Sequence, residues 1–250
     1  MIEIKNISKS FSDRKVINDI SFNFVKGKTN IIIGESGSGK TTLLKCMVGL
    51  NEIDAGEVLF DGRNFYELDF KGKKEIRKEI GMLFQGGALF DSKTVEENVV
   101  FPLSMFTDMS ESEKRDRANF CLQRVNLSNA NELYPAELSG GMKKRVAIAR
   151  AIAVQPKYLF CDEPNSGLDP KTSIVIDNLI KEITDEYAIT TVVITHDMNS
   201  VIEIGDNIMF IYKGDKWWEG TKEEILKTDN QEVCDFVYAT KFMKDLKTKF

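Results

Sequence analysis

Apolar and polar residues alternate at the start of the chain, Ile2 and Ile4 against Glu3 and Lys5, then Phe22 and Phe24 against Ser21 and Asn23. A period of two turns one face to a core and the other to water, which predicts half-buried antiparallel strands. The pattern changes at Thr29, where "TNIIIG" is a continuous apolar run of the kind carried by strands covered on both faces. "YLFCDE" (158–163), "TTVVITHD" (190–197) and "NIMFIY" (207–212) read the same way. Helix starts are legible between them. Thr94 with Glu97, Ser110 with Glu113, and Thr221 with Glu224 each fit a capping box, and Asp169-Pro170 fits an N-cap followed by proline at the first helical position. Residues 92–156 lack a convincing buried strand and read as helical. The expected class is α/β: a mainly parallel sheet, an antiparallel β subdomain in front, and an inserted helical subdomain at about 92–156 nested in a single domain spanning 1–250.

Composition narrows the class without naming a chemistry. The 250 residues suffice for a sizeable core, and 42% hydrophobic with 29% charged is ordinary for a globular protein. A net charge of −5 gives no support for nucleic acid as a partner. No apolar run approaches the roughly 20 residues of a spanning helix, and "MIEIKNISKSF" lacks the apolar core of a secretory signal. Cys46, Cys121, Cys161 and Cys234 have no metal-ligand spacing and are expected to be reduced thiols of a cytosolic protein.

The candidate chemistry lies where apolar strands end. "GESGSGKTT" (Gly34, Glu35, Ser36, Gly37, Ser38, Gly39, Lys40, Thr41, Thr42) fits G-x-x-x-x-G-K-[ST] directly after Thr29–Ile33. This is a P-loop pattern: backbone amides converge on phosphate, Lys40 reaches the β- and γ-phosphates, and the Thr41 hydroxyl holds Mg²⁺. "YLFCDE" delivers Asp162 and Glu163 to a strand's C-terminal end, the edge at which open α/β sheets bind ligands. There Asp162 suits Mg²⁺ and Glu163 is placed to polarise an attacking water. His196, the only histidine, ends another such strand and could orient water beside a γ-phosphate. A third feature, "AELSGGMKKRVAIARAIAVQP" (136–156), opens a helix with Ser139, Gly140 and Gly141, whose bare amides suit a second anion.

Together these motifs resemble the nucleotide-binding subunit of an ATP-binding cassette transporter over nearly the full chain. The resemblance implies ATP and Mg²⁺ as ligands and assigns further residues. Phe11 in "KSFSDRKVI" would stack on adenine, and Gln85 in "GMLFQGG" would sense Mg²⁺ and the membrane partner. Ser166 to Asp169 would form the loop that crosses between subunits, and His196 would be the switch histidine. "LSGGM" resembles the signature motif, which binds the γ-phosphate of ATP held by a second copy, so each copy would supply half of two sites in a head-to-tail dimer.

Met142 stands where that family usually has glutamine. With "KKRVAIARAIA" and "LFQGGALFDSKTVEENVVFPL" it is similar to the ATPases of Mla-type phospholipid-transport systems, which implies an integral membrane permease, an MCE-type lipid-carrying protein, and a peripheral location on the cytoplasmic face of the inner membrane. A soluble ATPase of the same family, serving cofactor assembly, stays open as an alternative, as does a transporter of another substrate. Leu89 and Phe90 are expected to be exposed on a docking loop, and of Trp217 and Trp218 one is expected to be packed and the other exposed. The tail sets Phe242, Met243, Leu246 and Phe250 among lysines, either a solvated end or a docking segment.

Overall fold

A computed structural model describes residues 1–239; the tail with Phe242, Met243, Leu246 and Phe250 lies outside the described residues. Two compact units divide the described residues, one from 1–68 and 192–239, the other from 69–191.

Along the first segment come β1 (Ile2–Phe11), β2 (Arg14–Phe24), β3 (Thr29–Ile33), α1 (Lys40–Met47), β4 (Ala55–Phe60) and β5 (Arg63–Asn64). The middle carries α2 (Phe70–Lys78), β6 (Ile80–Leu83), α3 (Val95–Phe106), α4 (Glu111–Arg124), a 3₁₀ turn (Pro135–Glu137), α5 (Gly140–Ile152), β7 (Tyr158–Asp162) and α6 (Pro170–Tyr187). Strand β8 (Thr190–Ile194) leads back to α7 (Met198–Ile204), β9 (Asn207–Tyr212), β10 (Asp215–Gly220), α8 (Lys222–Ile225) and α9 (Gln231–Val237).

In the first unit β1 pairs antiparallel with both β2 and β4, and β5 extends the sheet beyond β4. The alternation read at the start of the chain is the cause: Ile2, Ile4, Phe22 and Phe24 are buried, and Phe22 meets Phe24 edge-on at 4.9 Å. In the same unit β9 runs parallel to β3 and antiparallel to β10. Every residue of β3 is buried, as its unbroken apolar run requires. The β9–β10 register shifts between Lys216 and Trp218, a bulge that leaves Trp217 without a ladder partner. Consequently neither tryptophan is buried: Trp217 is 43% exposed and Trp218 intermediate, where one packed and one exposed were expected.

In the second unit β6 and β7 pair in parallel, while α3, α4 and α5 pack on one another and α5 also packs on β6 and α6. The helix starts form through the predicted side chains. Thr94 accepts from the Glu97 amide and Ser110 from the Glu113 amide, each reciprocated by the glutamate, and Asp169 caps α6 with Pro170 at its first position. Each such cap contributes about 1 kcal/mol. Beyond Lys144 the helix α5 is largely buried, Val146 to Ala149 fully so and Arg145 and Arg150 partly, and it stops at Ile152 before Pro156. Among the described residues no helix is long and apolar enough to cross a membrane.

Candidate functional site

In the first unit the glycine-rich turn joins β3 to α1. Gly34 has φ +149°, and a Cβ there would lie 2.2 Å from the Ile211 carbonyl oxygen of β9. Only glycine lets the chain turn this close to a neighbouring strand. Inside the turn the Ser38 hydroxyl is buried without a hydrogen-bond partner. Lys40, 7% exposed, donates 2.8 Å hydrogen bonds to the carbonyls of Gly34 and Glu35. The loop is thus a tight backbone cradle with one orphan hydroxyl and one enclosed ammonium, donor chemistry that suits an anion. Thr41 and Thr42 follow in the first turn of α1, half-buried, while Glu35 and Ser36 are exposed.

His196 belongs to the same unit. The Thr195 amide donates to the Ile32 carbonyl at 3.2 Å, which fastens the segment after β8 beside β3, one residue before the imidazole. His196 is exposed there, and Asp197 caps α7 by accepting from the Asn199 amide at 2.9 Å. Phe11 lies at the β1–β2 hairpin, 48% exposed, with the Lys9 ammonium 5.3 Å from its ring centroid. A half-open aromatic face is what stacking on a flat ligand needs.

In the second unit Asp162, 5% exposed, closes β7, and Glu163 follows in the left-handed conformation at φ +48°. A left-handed glutamate stores strain of the kind found at functional turns. Its carbonyl accepts from the Ser166 amide at 3.1 Å and from the Lys144 ammonium at 3.3 Å. Lys144 also donates to the Gln85 carbonyl, and the exposed Gln85 side chain lies 3.5 Å from the Ser166 hydroxyl. Burial holds the Lys144 ammonium below the usual lysine range, against the opposing pull of Cys161, Asp162 and Glu163.

Ser139 caps α5 by accepting from the Met142 amide at 3.2 Å, and both Ser139 and Gly140 are exposed. Gly141 is buried, and a Cβ there would come within 2.6 Å of Thr172 Cγ2, so the starts of α5 and α6 touch. Asp169 at the α6 start accepts from the Lys171 and Thr172 amides at 3.1 Å and from the Thr172 hydroxyl at 2.5 Å. These bonds hold its carboxyl below the usual carboxylate range.

Three polar residues that the motifs did not single out organise the Gln85 segment. Lys144 is one. Arg150 donates to the carbonyls of Gly87 and Ala88, both at 2.7 Å. Asn98, fully buried, accepts from the Phe90 amide at 2.8 Å and donates to the carbonyls of Phe90, Lys93 and Thr94. Phe90 itself is 40% exposed and Leu89 half-buried. The Phe90 ring packs 4.6 Å from that of Phe101 in an apolar groove of about 250 Å³ shared with Phe84 and Phe106.

A family model for the ABC transporter matches residues 17–166. The methionine import ATP-binding protein MetN of Campylobacter jejuni is 39% identical over 98% of this chain and 78% of its own length. The intermembrane phospholipid transport system ATP-binding protein MlaF of Haemophilus influenzae is 39% identical over 95% of this chain and 90% of its own. Among solved structures, the dimeric post-hydrolysis ATP-binding cassette MJ0796 with ADP and Pi superposes with a TM-score of 0.82 at 34% identity, covering 89% of this chain and 99% of that one. The α/β fold and its glycine-rich anion cradle are those of an ATP-binding cassette. The chain belongs to the ABC transporter family; it binds ATP with Mg²⁺ and hydrolyses the nucleotide as a transporter's ATPase subunit.

Proposed function

We propose that two copies of this chain close head to tail on ATP at the cytoplasmic face of the inner membrane and drive an integral permease whose cargo is phospholipid. Within each copy Lys40 and the amides of the Gly34–Thr42 loop take the phosphates, and Phe11 takes the adenine. Thr41, Gln85 and Asp162, an all-oxygen donor set suited to a hard cation, would hold Mg²⁺. Bound there, Mg²⁺ neutralises charge on the transferring γ-phosphoryl. Glu163 polarises the attacking water and His196 orients it. Ser139, Gly140 and Gly141 cover the γ-phosphate of the opposite copy, and Asp169 stands at the crossing loop. Phe90 and its groove receive the permease.

The observation that carries the paired reading is the start of α5, where Ser139 and Gly140 are exposed although most of the helix beyond them is buried. The cargo rests on Met142 in "LSGGM", on "LFQGGALFDS", and on similarity to MlaF; an MCE-type lipid-carrying protein is the further partner this implies. MetN is equally identical, so the test must separate the two cargoes. The chain is used to capture its partner from detergent-solubilised membranes, and the complex is reconstituted in phospholipid vesicles. Energised transfer of labelled phospholipid supports the proposal. Transfer of methionine instead makes the chain an importer's subunit, and the absence of a polytopic partner makes it a soluble ATPase.

A further inference from the structure

Lys144 sits on the buried side of α5, 5% exposed, with its ammonium on two backbone carbonyls. Enclosing an ammonium is costly, and an apolar residue of similar length would fill the same space without that cost. What the ammonium adds is the pair of carbonyls it joins. One is Gln85's, and the other is Glu163's, the left-handed residue whose carbonyl also accepts from the Ser166 amide. The Ser166 hydroxyl in turn lies 3.5 Å from the Gln85 amide nitrogen. Four residues therefore form a closed ring, and Lys144 is the only member contributed by α5.

We infer that Lys144 is a positioning residue for ATP hydrolysis: it holds the strained backbone of Glu163 in the conformation that aims the carboxylate and fixes the Gln85 segment to the same point. The inference rests on Glu163 being the base that polarises water. The ring's geometry separates this role from general packing. Arg150 independently holds the next carbonyls of the segment, Gly87 and Ala88, so the segment keeps two 2.7 Å anchors when Lys144 is changed. What changes is the second donor on the Glu163 carbonyl, and with it the aim of a side chain that must stand within hydrogen-bond reach of water.

The test compares Lys144→Met, which keeps the stem and removes the donor, with Lys144→Arg, which keeps donors, in the full-length chain. Glu163→Gln is measured alongside. Single-turnover and steady-state hydrolysis should show kcat about 10- to 100-fold lower in Lys144→Met, the range lost when an outer-shell support is removed. KM for ATP should stay within about threefold, and Lys144→Arg should recover most of the rate. A residue that merely packs would not give that split or that rescue. If Lys144→Met turns over at the wild-type rate while Glu163→Gln is slow, the Lys144 inference is wrong and the base reading stands. If Glu163→Gln is itself as fast as wild type, the base reading fails and takes the inference with it. A rate loss matched by KM and unrelieved by arginine also overturns it. Should Lys144→Met not fold, Lys144→Leu, which likewise removes the donor and keeps an apolar stem, is judged by the same thresholds.

Discussion

Replacing Gly34 by alanine tests the glycine-rich turn through its geometry alone, with Gly37 as the internal comparison. At Gly34 the added Cβ would meet a backbone oxygen, that of Ile211, at 2.2 Å, and neither partner is the movable end of a side chain. The backbone there has φ +149°, which costs an L-residue about 1–3 kcal/mol. Forcing an atom into a packed site adds about 1–3 kcal/mol. Together these give Gly34→Ala a destabilisation of about 4 kcal/mol. At about 2–4 °C of Tm per kcal/mol for a domain of this size, Tm should fall by about 8–16 °C. Gly37 has φ +80° but nothing within 4 Å of its Cβ position, so Gly37→Ala carries only the left-handed cost, about 1–2 kcal/mol. Both variants are melted by circular dichroism without nucleotide and titrated with a fluorescent ATP analogue. The reasoning is refuted if Gly34→Ala melts within 2 °C of wild type in this assay, on the order of an exposed-surface change, or if Gly37→Ala is the worse of the two.

Three further outcomes are expected. Phe90→Asp should leave a folded ATP binder that no longer couples to its permease, because Phe90 is 40% exposed and its ring packs on Phe101 in an open groove; loss of the melting transition would make it core instead. Burial pushes the Cys46 and Cys121 thiols from 9.0 up to about 11. The unfolded thiols then ionise first, and each should withdraw up to about 2 kcal/mol of stability as pH rises from 9 to 11; a Cys46→Ala/Cys121→Ala chain that loses urea resistance in parallel with wild type over that range would contradict this. In mixed dimers, Lys40→Ala on one copy with Ser139→Arg on the other should leave one composite site whole and give a single-turnover burst, whereas both lesions on one copy paired with wild type should leave none. The reverse pattern would reduce Ser139, Gly140 and Gly141 to the cap of a buried helix.

Patterns with a strict period were legible, and departures from the period were not. The alternation at Ile2, Ile4, Phe22 and Phe24 gave the antiparallel pair, and the unbroken run at Thr29–Ile33 gave the enclosed strand. Three capping boxes, at Thr94, Ser110 and Thr221, could be read because each needs only two residues at fixed spacing. The β10 bulge could not, since an extra residue in one strand depends on the partner's register. Nor could the left-handed turn at Glu163: "CDEP" does not announce a positive φ on a glutamate. Lys144 was concealed differently. The buried positions of α5 include Gly141, Lys144, Ile148 and Ala151, spaced by three and four, so the helical period does place that lysine inside. Asn98 likewise shares the inward face of α3 with Val95 and Val99. A polar residue on an apolar stripe was the available signal in both cases.

The same spacing gives α5 a mechanical meaning. Ser139 caps the helix at its exposed end and Lys144 lies five residues on, an axial rise of about 7.5 Å. Between them the helix is fastened at Gly141, where α6 approaches too closely for any side chain. That close approach ties the first turn of α5 to α6 and leaves it little room to bend there. If the second copy's ATP sits on Ser139 and Gly140, as proposed, its contact lies about one and a half turns of helix from Lys144, whose ammonium joins the carbonyls of Gln85 and Glu163. On the roles proposed above, engagement of the partner and aim of the Glu163 carboxylate share one helix. Under that proposal, hydrolysis before the dimer closes would lack the contact at Ser139 and Gly140. On this account Lys144→Met should weaken the dependence of turnover on dimer closure as well as turnover itself, and a variant whose residual activity still rises as steeply with protein concentration as wild type would show that closure reaches Glu163 by another route.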